Sequence, residues 1–235
     1  MSAERSNEVA VLFIHGMRTS GQIWDSQLEA VRALGYPALA IDLPGHGKHA
    51  ASRFTFEGAF AEIDNALSQL GLPTILVGLS LGGYTSLAYT AAHPNAPIIG
   101  VVAAACAGDP KGKPIALYRD ISAIVNHGFT LFGRGLRHLR NTPEPEPGPP
   151  WQIVTDSLTE LSGHCELDDI LAIQVPIWFV NGARDPLRLQ AKQFAAQARD
   201  GASVIIPNAG HDVNSESPQA FNKILLRALS EFTAE

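Results

Sequence analysis

Thr74-Ile75-Leu76-Val77-Gly78-Leu79-Ser80-Leu81-Gly82-Gly83 is the stretch whose reading decides the fold. Its apolar start reads as a buried strand, Thr74 to Gly78, and Leu81 to Ala92 then has the length and spacing of a helix. Between strand and helix stands G-x-S-x-G. The pattern alone is only suggestive, but its position gives it a mechanical meaning. A serine on such a tight turn presents its hydroxyl, and glycines on either side let the backbone turn without clash. The helix start also offers unpaired N–H groups and a positive end, which suit a developing oxyanion. A simple N-cap is the competing reading of Ser80, but a cap does not require the flanking glycines.

Working outward, the same alternation recurs along the chain. Val9 to Ile14, Ala38 to Asp42, Ile98 to Ala105, Ile177 to Asn181 and Ser203 to Pro207 read as further strands. Gln22 to Leu34 and Phe56 to Leu70 read as helices, and Ser217-Pro218 marks the start of the last one. This is the pattern of an α/β chain, with a mostly parallel, doubly wound sheet.

The alternation fails between about Asp109 and Gln174. No strand is evident there, and Asn141 to Pro150 (NTPEPEPGPP) is too rich in proline for a helix or an interior strand. The stretch reads as an inserted helical cap of two arms joined by a stiff linker. The chain then divides into a first core part, 1–108, a cap insertion, 109–174, and a second core part, 175–235. Charge is split between the arms: six bases against two acids from Asp109 to Arg140, then seven acids and no lysine or arginine from Asn141 to Ile173. The plain expectation is that the arms pair their charges. The first arm also carries Ile115, Leu117, Ile121, Phe129, Leu131 and Phe132, more apolar surface than a solvated arm needs, so it is expected to roof the site. Arg134 and Arg137 are then expected at the rim of the pocket at most.

Composition bounds the function. The chain has 235 residues, 25.1 kDa, and a formal charge of -6, enough for one buried domain. With 46% hydrophobic and 17% charged residues it is not a disordered chain. No basic tract suggests nucleic acid as a partner, and the longest apolar run, Ile98 to Ala107, is too short to span a bilayer. Cys106 and Cys165 cannot build a disulfide framework, and Met1 to Asn7 lacks the apolar core of a signal peptide. The expectation is a cytoplasmic protein without cofactor or metal, since no ligand-like spacing of His, Cys and carboxylates appears. Oligomeric state is left open.

A serine hydroxyl needs a base. Of eight histidines, His211 follows the strand Ser203 to Pro207, where α/β proteins place reactive groups. His93 sits at a helix end before a proline and reads as a cap, and His15 and His46 lie in other strand-end loops. The base needs an orienting carboxylate. Asp185 follows the strand Ile177 to Asn181 and could equally be a helix N-cap; Asp109, after the strand Ile98 to Ala105, is the competing acid. The chain order Ser80, Asp185, His211 favours Asp185.

With these residues in place the sequence resembles the α/β-hydrolase fold serine hydrolases, in their small capped, esterase-like and lipase-like branch. The likeness rests on Phe13-Ile14-His15-Gly16-Met17, Asp42-Leu43-Pro44-Gly45-His46-Gly47, Gly78 to Gly83, Asn181 to Asp185 and Ala209-Gly210-His211. It implies an acyl-enzyme on Ser80, with His211 as general base and then acid, and Asp185 holding the imidazole tautomer. It further implies an oxyanion hole of the Met17 and Leu81 backbone N–H groups, and structural roles for His15 and His46. The family's usual sheet has two more strands before the one leading to His-Gly. Only Met1 to Glu8 precede Val9, so a six-stranded, all-parallel sheet is expected.

The leading expectation is an ester hydrolase acting on a small or medium acyl substrate, mainly apolar because the first cap arm offers an apolar roof. A lyase or C–C bond hydrolase using the same triad is an alternative, to which Ala209 to Phe221 bears some likeness. That lyase family carries an arginine soon after the nucleophile, where Tyr84 stands here. A non-catalytic receptor of the same fold is the third reading.

Overall fold

A computed structural model describes residues 8–109, 151–163 and 167–234 of the chain. Its centre is a six-stranded sheet of order β2-β1-β3-β4-β5-β6. The strands are Ala10–Ile14 (β1), Ala38–Ile41 (β2), Thr74–Leu79 (β3), Ile98–Ala104 (β4), Ile177–Gly182 (β5) and Gly201–Ile206 (β6). Every neighbouring pair is parallel, as the sequence pattern predicts.

Alternation along the strands sends successive side chains to opposite faces, and helices cover both. Leu12, Ile14, Leu76, Val101 and Phe179 face one core, which includes Ile63 of α2 (Phe56–Leu70), Leu87 of α3 (Leu81–Ala92) and Phe194 of α6 (Ala191–Gln197). Val11, Phe13, Val77, Val102 and Val180 face the other, packed with Val31 of α1 (Asp25–Arg32), Val213 of α7 (Val213–Glu216) and Leu225 of α8 (Pro218–Phe232). Two short insertion helices between β4 and β5, α4 (Trp151–Gly163) and α5 (Leu167–Ala172), join the first of these cores through Val154, Leu158, Leu161 and Ile170.

The boundaries differ from the sequence reading in instructive places. Gln22 to Leu34 is not one helix: Gly21–Trp24 is a 3-10 turn, and α1 begins at Asp25. Helix α2 matches its reading, because Thr55 caps it by accepting the Gly58 N–H at 3.0 Å and Gly71, at φ 63°, ends it. Gly100, which interrupts the longest apolar run, lies against the Phe232 ring of α8, where a Cβ would sit 2.3 Å from the ring. Among the described residues no helix is long and apolar enough to cross a membrane. The first cap arm, its apolar residues, Arg134, Arg137, Cys165 and the residues before Glu8 lie outside the described residues.

Candidate active site

The strand order reverses direction at β1 and β3, and loops at the carboxyl ends of the strands gather there, the usual ligand position of an open parallel sheet. Ser80 follows β3 directly. Its backbone, at φ 51° and ψ -114°, lies in a region that side-chain-bearing residues rarely occupy. The turn is held by the Ser80 N–H donating to the Ala104 carbonyl at 2.7 Å and by the Tyr84 N–H donating to the Ser80 carbonyl at 3.0 Å. The glycines have a steric reason: a Cβ on Gly78 would lie 2.2 Å from the Gly82 carbonyl oxygen, and one on Gly82 would lie 2.1 Å from that of Ile14. A plain N-cap serine would demand neither contact.

Asp185 and His211 are brought together by two loops stitched to each other. Ala183 N–H donates to the Ile206 carbonyl at 3.0 Å and Arg184 N–H to the Ala209 carbonyl at 2.9 Å. The Arg184 guanidinium also donates to the Asn208 carbonyl. Gly182 permits this approach, since a Cβ there would stand 2.1 Å from the Gly210 carbonyl oxygen. From the other side, Glu216 accepts the Gly210 N–H at 2.9 Å.

The result is a hydrogen-bonded chain of three side chains. His211 Nε2 lies 2.9 Å from Ser80 Oγ, and His211 Nδ1 lies 3.1 Å from Asp185 Oδ2. With Asp185 an acceptor, Nδ1 carries the proton in the neutral imidazole and Nε2 is the acceptor for the serine hydroxyl. Burial opposes protonation of His211. The Asp185 hydrogen bond and charge, with Asp212 and Glu216, outweigh it and raise the imidazole above its ordinary range. Asp185 is fully buried, and its second oxygen accepts the Leu187 N–H at 2.9 Å. It is therefore both N-cap of the 3-10 turn Pro186–Gln190 and partner of the histidine. Asp109 lies elsewhere in the site: both nitrogens of His211 are already engaged, and the Asp109 N–H donates to Gln190 Oε1 at 2.7 Å.

The remaining histidines shape loops. His15 accepts the Leu43 N–H on Nε2 at 2.9 Å and donates from Nδ1 to the Gly16 carbonyl at 2.7 Å, which requires the neutral ring. Burial, aided by nearby His46, lowers its pKa to about 4. His46 packs against that ring, 4.9 Å between centroids, and its Nδ1 meets the Pro44 carbonyl at 3.0 Å. Asp42 organises the same turn by accepting the N–H groups of Gly21 and Lys48, at 2.7 and 2.9 Å. His93 ends α3, with Nδ1 2.9 Å from the Tyr89 carbonyl. The loop carrying Met17 abuts the nucleophile turn, since a Cβ on Gly16 would be 3.5 Å from the Ser80 Cβ. Leu81 is the first residue of α3, so its N–H belongs to the unpaired set at a helix start.

Two cavities meet at Ser80 and His211. One, of about 590 Å³, is largely apolar, with Met17, Tyr84, Leu158, Leu161, Leu187 and Leu189 in its walls. The other, of about 620 Å³, runs along Gly16 to Thr19 toward Asp185 and Asp212. Leu158 and Leu161 come from the acidic second arm, whereas the sequence reading argued a roof from the first arm alone. Two acids of that helix anchor it to the core. Asp156 takes a two-pronged bond from Arg53, at 2.9 and 2.5 Å, and Glu160 accepts the Phe56 N–H at 2.9 Å. Tyr84 and Gln190, which sequence reasoning gave no place in the pocket, also line it. The helical spacing of Tyr84, one turn beyond Ser80, is the signal that could have found it.

The sequence profile of the alpha/beta hydrolase family matches residues 11–224. An esterase of Mycobacterium tuberculosis is 26% identical over 92% of this chain and 80% of its own length. A 2-succinyl-6-hydroxy-2,4-cyclohexadiene-1-carboxylate synthase of Yersinia enterocolitica is 26% identical over 94% of this chain and 86% of its own. Among solved structures, a thermophilic esterase from Thermogutta terrifontis superposes with a TM-score of 0.75 at 21% identity, covering 96% of this chain and 91% of that one.

Proposed function

Because the chain belongs to the alpha/beta hydrolase family, we propose that it hydrolyses small or medium, mainly apolar carboxylic esters through an acyl-enzyme on Ser80. One observation carries this reading: the Ser80–His211–Asp185 chain opens onto an apolar cavity. The similar esterase supports the same class.

In the proposed cycle His211 Nε2 takes the Ser80 hydroxyl proton as Oγ attacks the ester carbonyl. The oxyanion is held by the Met17 and Leu81 N–H groups, preorganised donors at the start of α3 and in the loop beside it. His211 then gives its proton to the departing alkoxide. Water, activated by the same nitrogen, cleaves the acyl-enzyme and restores Ser80. Asp185 keeps the Nδ1 proton in place and stabilises the imidazolium. The acyl chain occupies the 590 Å³ cavity, and the alcohol leaves through the more polar one beside it. Residues 109–174 act as the cap over a core made of 1–108 and 175–235.

The lyase reading draws support from the similar synthase. Against it, the position of the expected arginine is held by Tyr84, whose hydroxyl is bonded to Gly108. The test is kcat/KM for p-nitrophenyl acetate, butyrate and hexanoate. Each methylene entering the cavity is expected to raise kcat/KM by about threefold to fourfold until the pocket fills. A preference for acetate would overturn the apolar acyl pocket. Absence of turnover with any of the three would leave the lyase and receptor readings ahead.

A further inference from the structure

We propose that Thr19 is a positioning residue for the oxyanion step: its hydroxyl, together with the His15 ring, holds the Gly16–Met17 peptide so that the Met17 N–H faces the carbonyl under attack. The proposal deepens the ester reading and rests on it. A trans peptide is planar, with its C=O and N–H pointing in opposite directions. Whatever grips the Gly16 oxygen therefore aims the Met17 N–H. Two side chains grip it. His15 Nδ1 donates to the Gly16 carbonyl at 2.7 Å, and Thr19 Oγ1 donates to the same oxygen at 2.8 Å. The other ring nitrogen settles the tautomer: the Leu43 N–H can only donate, so Nε2 accepts it at 2.9 Å and the proton stays on Nδ1. The grip thus runs from the Gly16 oxygen through the ring to the loop after β2.

The hydroxyl is more than a closure of the turn. The Thr19 N–H also reaches the Gly16 carbonyl, but at 3.4 Å, a long bond beside the 2.8 Å one from the hydroxyl. Arg18, third residue of this turn, sits at φ 62°, a conformation that favours glycine, so the turn needs holding. One bond would let the peptide swing about it, whereas two bonds from separate side chains fix its plane. The Met17 N–H itself makes no hydrogen bond among the described residues, and Met17 lines both cavities that meet at Ser80. As Ser80 Oγ bonds to the ester carbon, its proton passes to His211 Nε2 and the carbonyl π pair moves onto oxygen. The aimed N–H serves that developing charge, so losing the aim acts on kcat rather than KM.

The experiment has a kinetic and a spectroscopic arm. With p-nitrophenyl butyrate, Thr19→Val and Thr19→Ala are expected to lower kcat by about tenfold and to change KM by less than about threefold. Thr19→Ser, which keeps the hydroxyl, is expected to stay within about threefold of the wild-type kcat. Methionine occurs only at positions 1 and 17, so selective 15N labelling isolates the Met17 amide. The probe is 1,1,1-trifluorooctan-2-one, whose adduct on Ser80 carries an oxyanion and is detected by 19F NMR. In the wild-type protein a narrow Met17 amide resonance is expected to move downfield when the adduct forms, and in Thr19→Val to move less. Equal shifts in wild type and Thr19→Val would overturn the proposal, as would a Thr19→Ser enzyme as slow as Thr19→Val. A Met17 resonance broadened or split in the uninhibited wild-type protein would show a peptide that is not held, and overturns it whether or not the variants fold. An adduct that leaves the wild-type Met17 resonance unmoved removes Met17 as a donor and the role of Thr19 with it. No adduct in the wild-type protein, with no turnover of the butyrate, is the separate result that sinks the ester reading itself.

Discussion

The nucleophile turn and the insertion helix α4 meet in one cavity but are held in place by different means. The turn is fixed by backbone: glycines that admit no Cβ, a strained Ser80, and carbonyls of β4 and β1 packed against it. Helix α4 is fixed by side chains reaching across the chain, Asp156 to Arg53 over 103 residues and Glu160 to Phe56 over 104. Arg53 is largely exposed, and exposed ion pairs contribute little to stability. The difference teaches that the geometry of the Ser80 turn is set by the fold itself, whereas the α4 wall of the apolar cavity is set by a few replaceable contacts. In the proposed function, chemistry and specificity then have separate supports.

Two substitutions sharpen the contrast, the larger effect first. Asp185→Asn acts on the rigid end, replacing the acceptor that holds the Nδ1 proton. The expected loss in kcat is about three to four orders of magnitude, from the wrong imidazole tautomer. The sign of its pH effect follows from the charges around His211. In the wild-type protein these raise the imidazole above its ordinary range, and with the neutral ring as the proposed base kcat/KM is expected to climb with pH through a midpoint above that range. Removing the Asp185 charge lowers that midpoint in the residual activity. A loss of tenfold or less, with an unmoved midpoint, would break the claim that backbone and carboxylate together fix the reacting atoms.

Arg53→Ala acts on the other end. It is expected to lower kcat/KM for hexanoate by about threefold or less and to leave acetate nearly unchanged, because the Phe56–Glu160 bond and the buried Val154, Leu158 and Leu161 still seat α4. Steady-state kinetics on the two esters, side by side, measure it. A fall of a hundredfold for both esters would show that the ion pair also supports the chemistry.

The same contrast explains what could be read from the sequence. Ser80 was legible because a turn between a buried strand and a helix permits few residues at Gly78 and Gly82, and local sterics leave a local signature. Asp185 was legible only through chain order, since capping the Pro186–Gln190 turn and facing His211 call for the same side chain. The six parallel strands announced themselves by apolar runs, while the helix predicted from Gln22 began as a 3-10 turn that hydrophobic spacing does not distinguish. The cavity wall was not legible. Leu158 and Leu161 sit among acids, and the tertiary partners of Asp156 and Glu160, absent from any local pattern, help turn that helix toward the site. Charge counting sees composition, not which face of α4 meets Arg53. For Tyr84 and Gln190 the decisive partners, Gly108 and Asp109, lie 24 and 81 residues away.

The central claim is that Ser80, activated by His211, is the nucleophile. Its most direct test is labelling with a fluorophosphonate probe followed by peptide mapping, on the wild-type protein and on Ser80→Ala. The account predicts a single adduct on the Ser80 peptide and none in the variant. An adduct that persists in Ser80→Ala, or that maps to another residue in the wild-type protein, would contradict it.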